Sequence, residues 1–446
     1  MKRLIDRHLL AWKNSQYRKS LLMHGARQIG KTYAVRQLGA TYQNFVEINF
    51  EQRPDLISIF DLNLVPERII KELSAALDVA IDQKTTLLFF DEIQAAPKAI
   101  IALRYFYEEM HDLHVIAAGS LVDFAIRQVG LPVGRVQELD MYPLSFLEFL
   151  LATGHDALVQ EIMNHPLDNP FTPSFHQVAL TLLGEYLIVG GMPDAVKKWC
   201  ETKDMAECFT VFETIIRNYQ QDFNKYAKNY QLKYLNDLFK FIPQCLGNQF
   251  KYSNVPGGYR TQELAPCLDL LETAGIIHRI AHSAGQGIPI GALSNHDIFK
   301  VIFLDVALSQ STLALPEAAS IIRPLEQFVN KGELVEAFVG QELLVYTKPS
   351  RKAALYYWHK ETRDLHAEVD YLMQAGSDII PIEVKSSAGT SLKSLHKFLE
   401  NHPKTPYGLR FSTQNTSVHE KIHSYPLYSI PAVLKKLCGN DISILE

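Results

Sequence analysis

The run Gly25-Ala26-Arg27-Gln28-Ile29-Gly30-Lys31-Thr32 fits the pattern GxxxxGK[ST] at every specified position. The apolar triplet Leu21-Leu22-Met23 precedes it, and a helical pattern over Lys31–Leu38 follows. A strand, a glycine-rich loop and a helix in that order make an anion cradle. The glycines let main-chain N–H groups turn toward a phosphate, and the helix offers its positive end to the same anion. Lys31 is placed to reach the outer phosphates of a nucleoside triphosphate, and the Thr32 hydroxyl to hold Mg²⁺. Gly25, Ala26, Arg27, Gln28, Ile29, Gly30, Lys31, Thr32 and Tyr33 are therefore the expected nucleotide-binding residues, with ATP and Mg²⁺ as ligands.

Working outward, Leu87-Leu88-Phe89-Phe90-Asp91-Glu92 is a buried strand that ends in two carboxylates. In open α/β sheets ligands bind at that carboxyl edge. Asp91 is expected to hold Mg²⁺, and Glu92 to act as general base on the attacking water. A third apolar run, Val115–Ala118, ends in Gly119-Ser120, where the hydroxyl reaches the same edge; an ordinary turn is the alternative. Arg127 and Arg135 follow as candidate cations for a phosphoryl transition state, in their own subunit or a neighbour's. Short apolar runs at 21–23, 45–50, 86–90 and 115–118 alternate with helical stretches at 31–38, 66–81 and 98–110. That alternation predicts an α/β fold with a parallel sheet covered on both faces.

The chain has 446 residues, 47% of them hydrophobic and 21% charged, which supports several cores. Its net charge of −5 excludes a protein built mainly as a polycation, and no third of the chain is strongly basic. Five cysteines form no CxxC pair and read as free thiols, which points to the cytoplasm. No run suits a membrane helix or a signal peptide. The reading divides the chain into a nucleotide-binding core at 1–142, a helical arm at 143–240, a helix-and-hairpin module of winged-helix type at 241–330, and a small α/β domain at 331–446. The arm's Phe209, Phe212, Tyr219, Phe223, Tyr226 and Tyr230 fall largely at three- or four-residue spacing and are expected to form a packed stripe rather than a base-stacking platform.

In the last block, Glu368-Val369-Asp370-Tyr371 and Ile382-Glu383-Val384-Lys385 flank a turn at Gly376, so they pair as a hairpin. Side chains two apart share a face, so Glu383 and Lys385 point the same way, with Asp370 across from them. Glu336, on the preceding helix, adds another carboxylate. Two or three carboxylates with a lysine suit a divalent ion and an activated water. A charged hairpin used only for binding is the alternative.

Together these motifs resemble a known family. GARQIGKT, LLFFDEIQ with Pro97 five residues after Glu92, AAGS, and GRV followed by YPLSFLEF are similar to prokaryotic AAA+ ATPases of archaeal-ATPase type. GGMP, NYQQDF, FLDVALS, GELVEAFVGQELL, YYWH, AEVDY and PIEVKSS resemble that family's C-terminal domain of unknown function. The resemblance implies an AAA+ module joined to a C-terminal domain related to restriction endonucleases, and the D…ExK arrangement resembles the PD-(D/E)XK nuclease core. Ala118 stands where many relatives have threonine before Gly-Ser. Three functions follow as expectations. The first is a Mg²⁺-dependent ATPase driving movement of the C-terminal parts. The second is an ATP-regulated nuclease or binding protein acting on DNA. The third is a slowly hydrolysing switch that contacts a protein. DNA, a protein partner and further copies of the chain are the candidate partners.

Overall fold

The computed structural model describes residues 1–313, 331–362, 365–386 and 392–439. Five strands, β1 (Ser20–His24), β2 (Asn44–Asn49), β3 (Thr86–Asp91), β4 (His114–Ala118) and β5 (Val136–Asp140), form one parallel sheet in the order β2-β3-β4-β1-β5. Leu21, Met23, Leu87, Phe89 and Ile116 enter the core on one face; Leu22, Leu88, Phe90, Val115 and Ala117 enter the core on the other. Because both faces are covered, each strand reads as a continuous apolar run. The strands run the same way, so the segments after β1, β3 and β4 all leave at one carboxyl edge.

The expected polar lead-in over residues 1–19 is an amphipathic helix, Leu4–Asn14, that buries Ile5, Leu9 and Trp12 at helical spacing. The 143–240 stretch is helical throughout, as expected, in segments 146–152, 156–164, 173–189, 193–202, 205–226 and 232–241. Phe209, Phe212, Tyr219 and Phe223 are buried along one face of the helix Met205–Tyr226, so that part of the stripe is packing; Tyr226 is half-buried and Tyr230, beyond the helix, is exposed. Gly190-Gly191 ends the helix Pro173–Val189. A Cβ on Gly191 would lie 2.1 Å from the Leu144 carbonyl oxygen, so only glycine fits that crossing.

The remaining strands, β6 (Ile277–Ser283), β7 (Ser294–Phe303), β8 (Leu355–Thr362), β9 (Leu365–Ala375), β10 (Asp378–Lys385), β11 (Gly408–Ser412), β12 (Ser417–His419) and β13 (Ile422–Pro426), form a single mixed sheet in the order β12-β13-β11-β10-β9-β8-β6-β7. The helix Thr261–Thr273 and the β6–β7 hairpin match the helix-and-hairpin expectation. The hairpin is not a free wing, however. β6 pairs in parallel with β8, so the expected boundary at 330 cuts through one continuous sheet. The end of that module, 314–330, and the expected helix start at Ser391 lie outside the described residues; the helix itself runs Lys393–Asn401.

Candidate functional site

The glycine-rich loop leaves β1 at the carboxyl edge and enters the helix Lys31–Gly39. Gly25 has φ 133° and Gly30 φ 97°, and a Cβ on Gly25 would lie 2.3 Å from the Met141 carbonyl oxygen. These positions need glycine. Lys31 is buried and donates to the carbonyl oxygens of Gly25 (2.8 Å) and Ala26 (2.7 Å). Burial pushes its ammonium down to about 8, against the pull of Glu92 and Asp91.

β3 brings Asp91 and Glu92 to the same edge. The Thr32 hydroxyl lies 3.3 Å from both oxygens of the Asp91 carboxylate. Burial raises the Asp91 carboxyl, and the neighbouring Glu92 charge adds to that. An oxygen pair held this way is what Mg²⁺ takes, so Thr32 and Asp91 fit the ion. Asn49, at the end of β2, donates to Asp91 at 3.1 Å. Sequence reading missed Asn49; its only signal was its place at the end of the second apolar run. Glu92 has φ 50° and accepts a 2.6 Å hydrogen bond from the Gln94 amide. Ser120 is buried just beyond β4. Tyr33, on the first turn of the helix, is exposed and accepts from the Met1 ammonium at 2.9 Å.

The two candidate arginines separate. Arg127 lines a cavity of about 520 Å³ together with Gly25, Ala26 and Ser120, and donates to the Thr273 hydroxyl at 2.6 Å. Arg135 stands just before β5, at the amino edge of the sheet, paired with Glu108 at 2.6 Å. In its own subunit it is at the wrong edge for the phosphates. Within the loop, Arg27 holds Asp222 through two contacts of 2.8 and 2.7 Å, and the Tyr219 hydroxyl donates to the Arg27 carbonyl at 2.7 Å. Both partners sit on the helix Met205–Tyr226 and within NYQQDF. Sequence reading named that motif without finding its contact.

The C-terminal carboxylates also converge. Asp370 accepts from the Val384 N–H at 2.7 Å, and Lys385 donates to Glu383 at 2.6 Å. One further residue, missed in the sequence, is decisive. Lys300 of β7 is fully buried, with its ammonium 2.9 Å from Glu336 and 2.5 Å from Glu368. Its charge is held well above the ordinary range: burial opposes that, and the neighbouring Glu336, Asp370 and Glu368 outweigh it. Burial and then the Asp370 charge raise Glu336 to about 8 and Glu383 to about 7. Of the expected carboxylates Glu336 is thus paired with this ammonium, as is the neighbouring Glu368. Among the described residues no group of three or more His, Cys, Asp or Glu side chains is arranged to hold a metal ion. Lys300 thus neutralises part of the cluster, beside the Asp370 and Glu383 carboxylates. A lysine in the middle of a strand otherwise rich in apolar residues was its signal.

Residues 17–150 match the family model described as an AAA domain. Residues 180–319 and 331–430 match models described as domains of unknown function, DUF8612 and DUF4143, and neither description names a nuclease. No curated protein matches the chain. Among solved structures the chain is similar to the Walker-type ATPase PABY2304 of Pyrococcus abyssi, with 13% identity over 69% of this chain and 95% of that one, at a TM-score of 0.43. The match over residues 17–150 supports an AAA-type domain there, on the five-stranded parallel sheet. Among the described residues no helix is long and apolar enough to cross a membrane.

Proposed function

We propose that the chain is a Mg²⁺-dependent ATPase whose hydrolysis cycle moves the helical arm and the C-terminal sheet. The observation that carries this reading is the convergence of Lys31, Thr32, Asp91 and Glu92 on one sheet edge, with Arg27 tied to Asp222 of the arm. On ATP binding, Lys31 leaves its two carbonyl acceptors and moves to the phosphates. Thr32 and Asp91 would hold Mg²⁺, which would supply charge neutralisation at the outer phosphates. Glu92 takes the proton of the attacking water. Arg27 and Tyr219 pass the loop's state to the helix Met205–Tyr226. The units at 143–240, 241–330 and 331–446 are the moving parts on this reading, the last two travelling together because they share a sheet.

Exchanging Lys31→Ala should abolish ATP binding. Glu92→Gln should keep binding and lower turnover at least ~100-fold, the ordinary worth of a general base. Turnover at the parent rate in Glu92→Gln would remove the assignment. The reading as an ATP-regulated DNA nuclease instead requires metal-dependent cleavage that vanishes in Asp370→Ala and in Lys385→Ala. Rates measured with and without DNA, at two protein concentrations, separate DNA-stimulated and composite sites from a self-contained one.

A further inference from the structure

We propose that Gln94 is a positioning residue for the attacking water, acting jointly with Glu92; this rests on the ATPase reading above. Glu92 adopts φ 50°, a conformation that L residues rarely take, and it opens the one-turn helix Ile93–Ala95. That turn folds Gln94 back on Glu92, with the amide nitrogen 2.6 Å from Glu92 Oε2. A carboxylate can only accept, so the amide must offer its nitrogen there and aim its carbonyl oxygen the other way.

That oxygen, Gln94 Oε1, is buried and has no hydrogen-bond partner. It rests against Gly119 at the end of β4, where a Cβ would lie only 2.0 Å away. Gly119 is therefore small so that the carboxamide can lie across the ends of β3 and β4, beside Ser120. A buried acceptor left without a donor is costly, and a polar site supplies one with ordered water. The pair Glu92–Gln94 then has two acceptors left over from its own hydrogen bond, Glu92 Oε1 and Gln94 Oε1, one for each hydrogen of a single water. Its oxygen lone pair is left for phosphorus. In the step, the water oxygen bonds to the γ-phosphorus and the bond from that phosphorus to the β,γ-bridging oxygen breaks. The electron pair leaves with ADP, Glu92 takes one water proton, and inorganic phosphate carries the other hydrogen.

The test uses the full chain and measures kcat, KM, affinity for a fluorescent ATP analogue, and the pH dependence of kcat. Gln94→Ala should lower kcat about 10- to 100-fold, as loss of orientation does, with KM and analogue affinity within twofold of the parent. Gln94→Glu should move the acid limb of kcat to higher pH, because a second carboxylate then faces Glu92; a merely structural role moves no limb. Gly119→Ala should reproduce the kcat loss by displacing the carboxamide without removing a polar group. It decides the matter where Gln94→Ala fails to fold. Turnover in the parent that persists undiminished in the variants overturns this inference alone. Absence of turnover in the parent overturns the ATPase reading and takes this inference with it.

Discussion

Lys31 makes a quantitative prediction about protons. Without nucleotide its ammonium is buried, with only the carbonyl oxygens of Gly25 and Ala26 at hydrogen-bond distance among the described residues, and burial lowers its pKa from 10.5 to about 8. A drop of that size corresponds to roughly 3 kcal/mol against the charged form. The sign for stability follows: because the folded value lies below the unfolded one, the charged lysine destabilises the empty protein at pH 7. That cost fades as pH rises through about 8 toward 10.5. A triphosphate reverses the balance, since its charge at hydrogen-bond range favours the ammonium. At pH 8.5 about three-quarters of the empty sites hold neutral lysine, so binding should take up ~0.8 proton. Between pH 7 and pH 9 apparent ATP affinity should fall about tenfold, and ATP itself has finished titrating over most of that range. Calorimetry at pH 8.5 in two buffers of different ionisation heat reads the uptake directly. Lys31→Arg stays charged throughout and should show none. An uptake near zero in the parent, or an affinity flat across this pH range, refutes the reasoning.

Asp222→Asn should weaken the hold on Arg27 and free the guanidinium for phosphate, raising ATP affinity about 5- to 30-fold for ~1–2 kcal/mol of released pairing; unchanged or lower affinity in a folded variant counts against the clamp. His24 lies 3.3 Å from Asp123 and 3.0 Å from Glu138, and although its own burial opposes it, these carboxylates raise it to about 9. Its stabilising charge is fully present below pH 6.5 and lost as pH rises through about 9, so urea melts of His24→Phe should lack an alkaline decline of up to ~3 kcal/mol, less for screening by its half-exposed partners. Lys300→Met should cost about 3–5 kcal/mol by stranding buried carboxylates. It should also create a Mn²⁺ site absent from the nucleotide-free parent, read by electron paramagnetic resonance. Mn²⁺ bound by the parent and lost in Asp370→Asn would show that Lys300 does not fill the cluster.

The N-terminal half was legible because its signals are local. GARQIGKT and FFDE each state a residue type and a place on a strand end, and the strand edge supplies the rest. β5 escaped because Val136–Asp140 is short and polar at alternate positions, and nothing in it reads as a run. What stayed hidden is long-range. Lys300 is 36 residues from Glu336 and belongs to a hairpin assigned to a different module. Only the β6–β8 pairing brings it under the D…ExK hairpin. The same pairing turns two expected units into one sheet. That Arg135 stands at the amino edge of its own sheet was hidden for a related reason: spacing along the chain does not say which edge of a parallel strand a residue precedes.

The loop contacts say how a small ligand could move a large body. Carbonyl oxygens of the loop are held from three sides: Gly25 and Ala26 by Lys31, Arg27 by Tyr219, and Ile29 by Arg3 at 2.9 Å. Arg3 is itself buried against Glu148 and caps the first helix. Gly275, at the turn after the helix Thr261–Thr273, comes close enough that a Cβ would lie 3.3 Å from the Ala26 nitrogen. Of these holds, the one from Lys31 is the hold that a phosphate must break, because the same ammonium cannot serve both. The Tyr219, Asp222 and Gly275 contacts join the loop to elements beyond residue 200, so any shift of Ala26 or Arg27 on losing the lysine is delivered to them at van der Waals or hydrogen-bond range. A loop free on its outer side could bind the same nucleotide and move nothing; on the ATPase reading proposed above, these contacts are what tie the exchange of one lysine's acceptors to the arm and to the sheet that follows it.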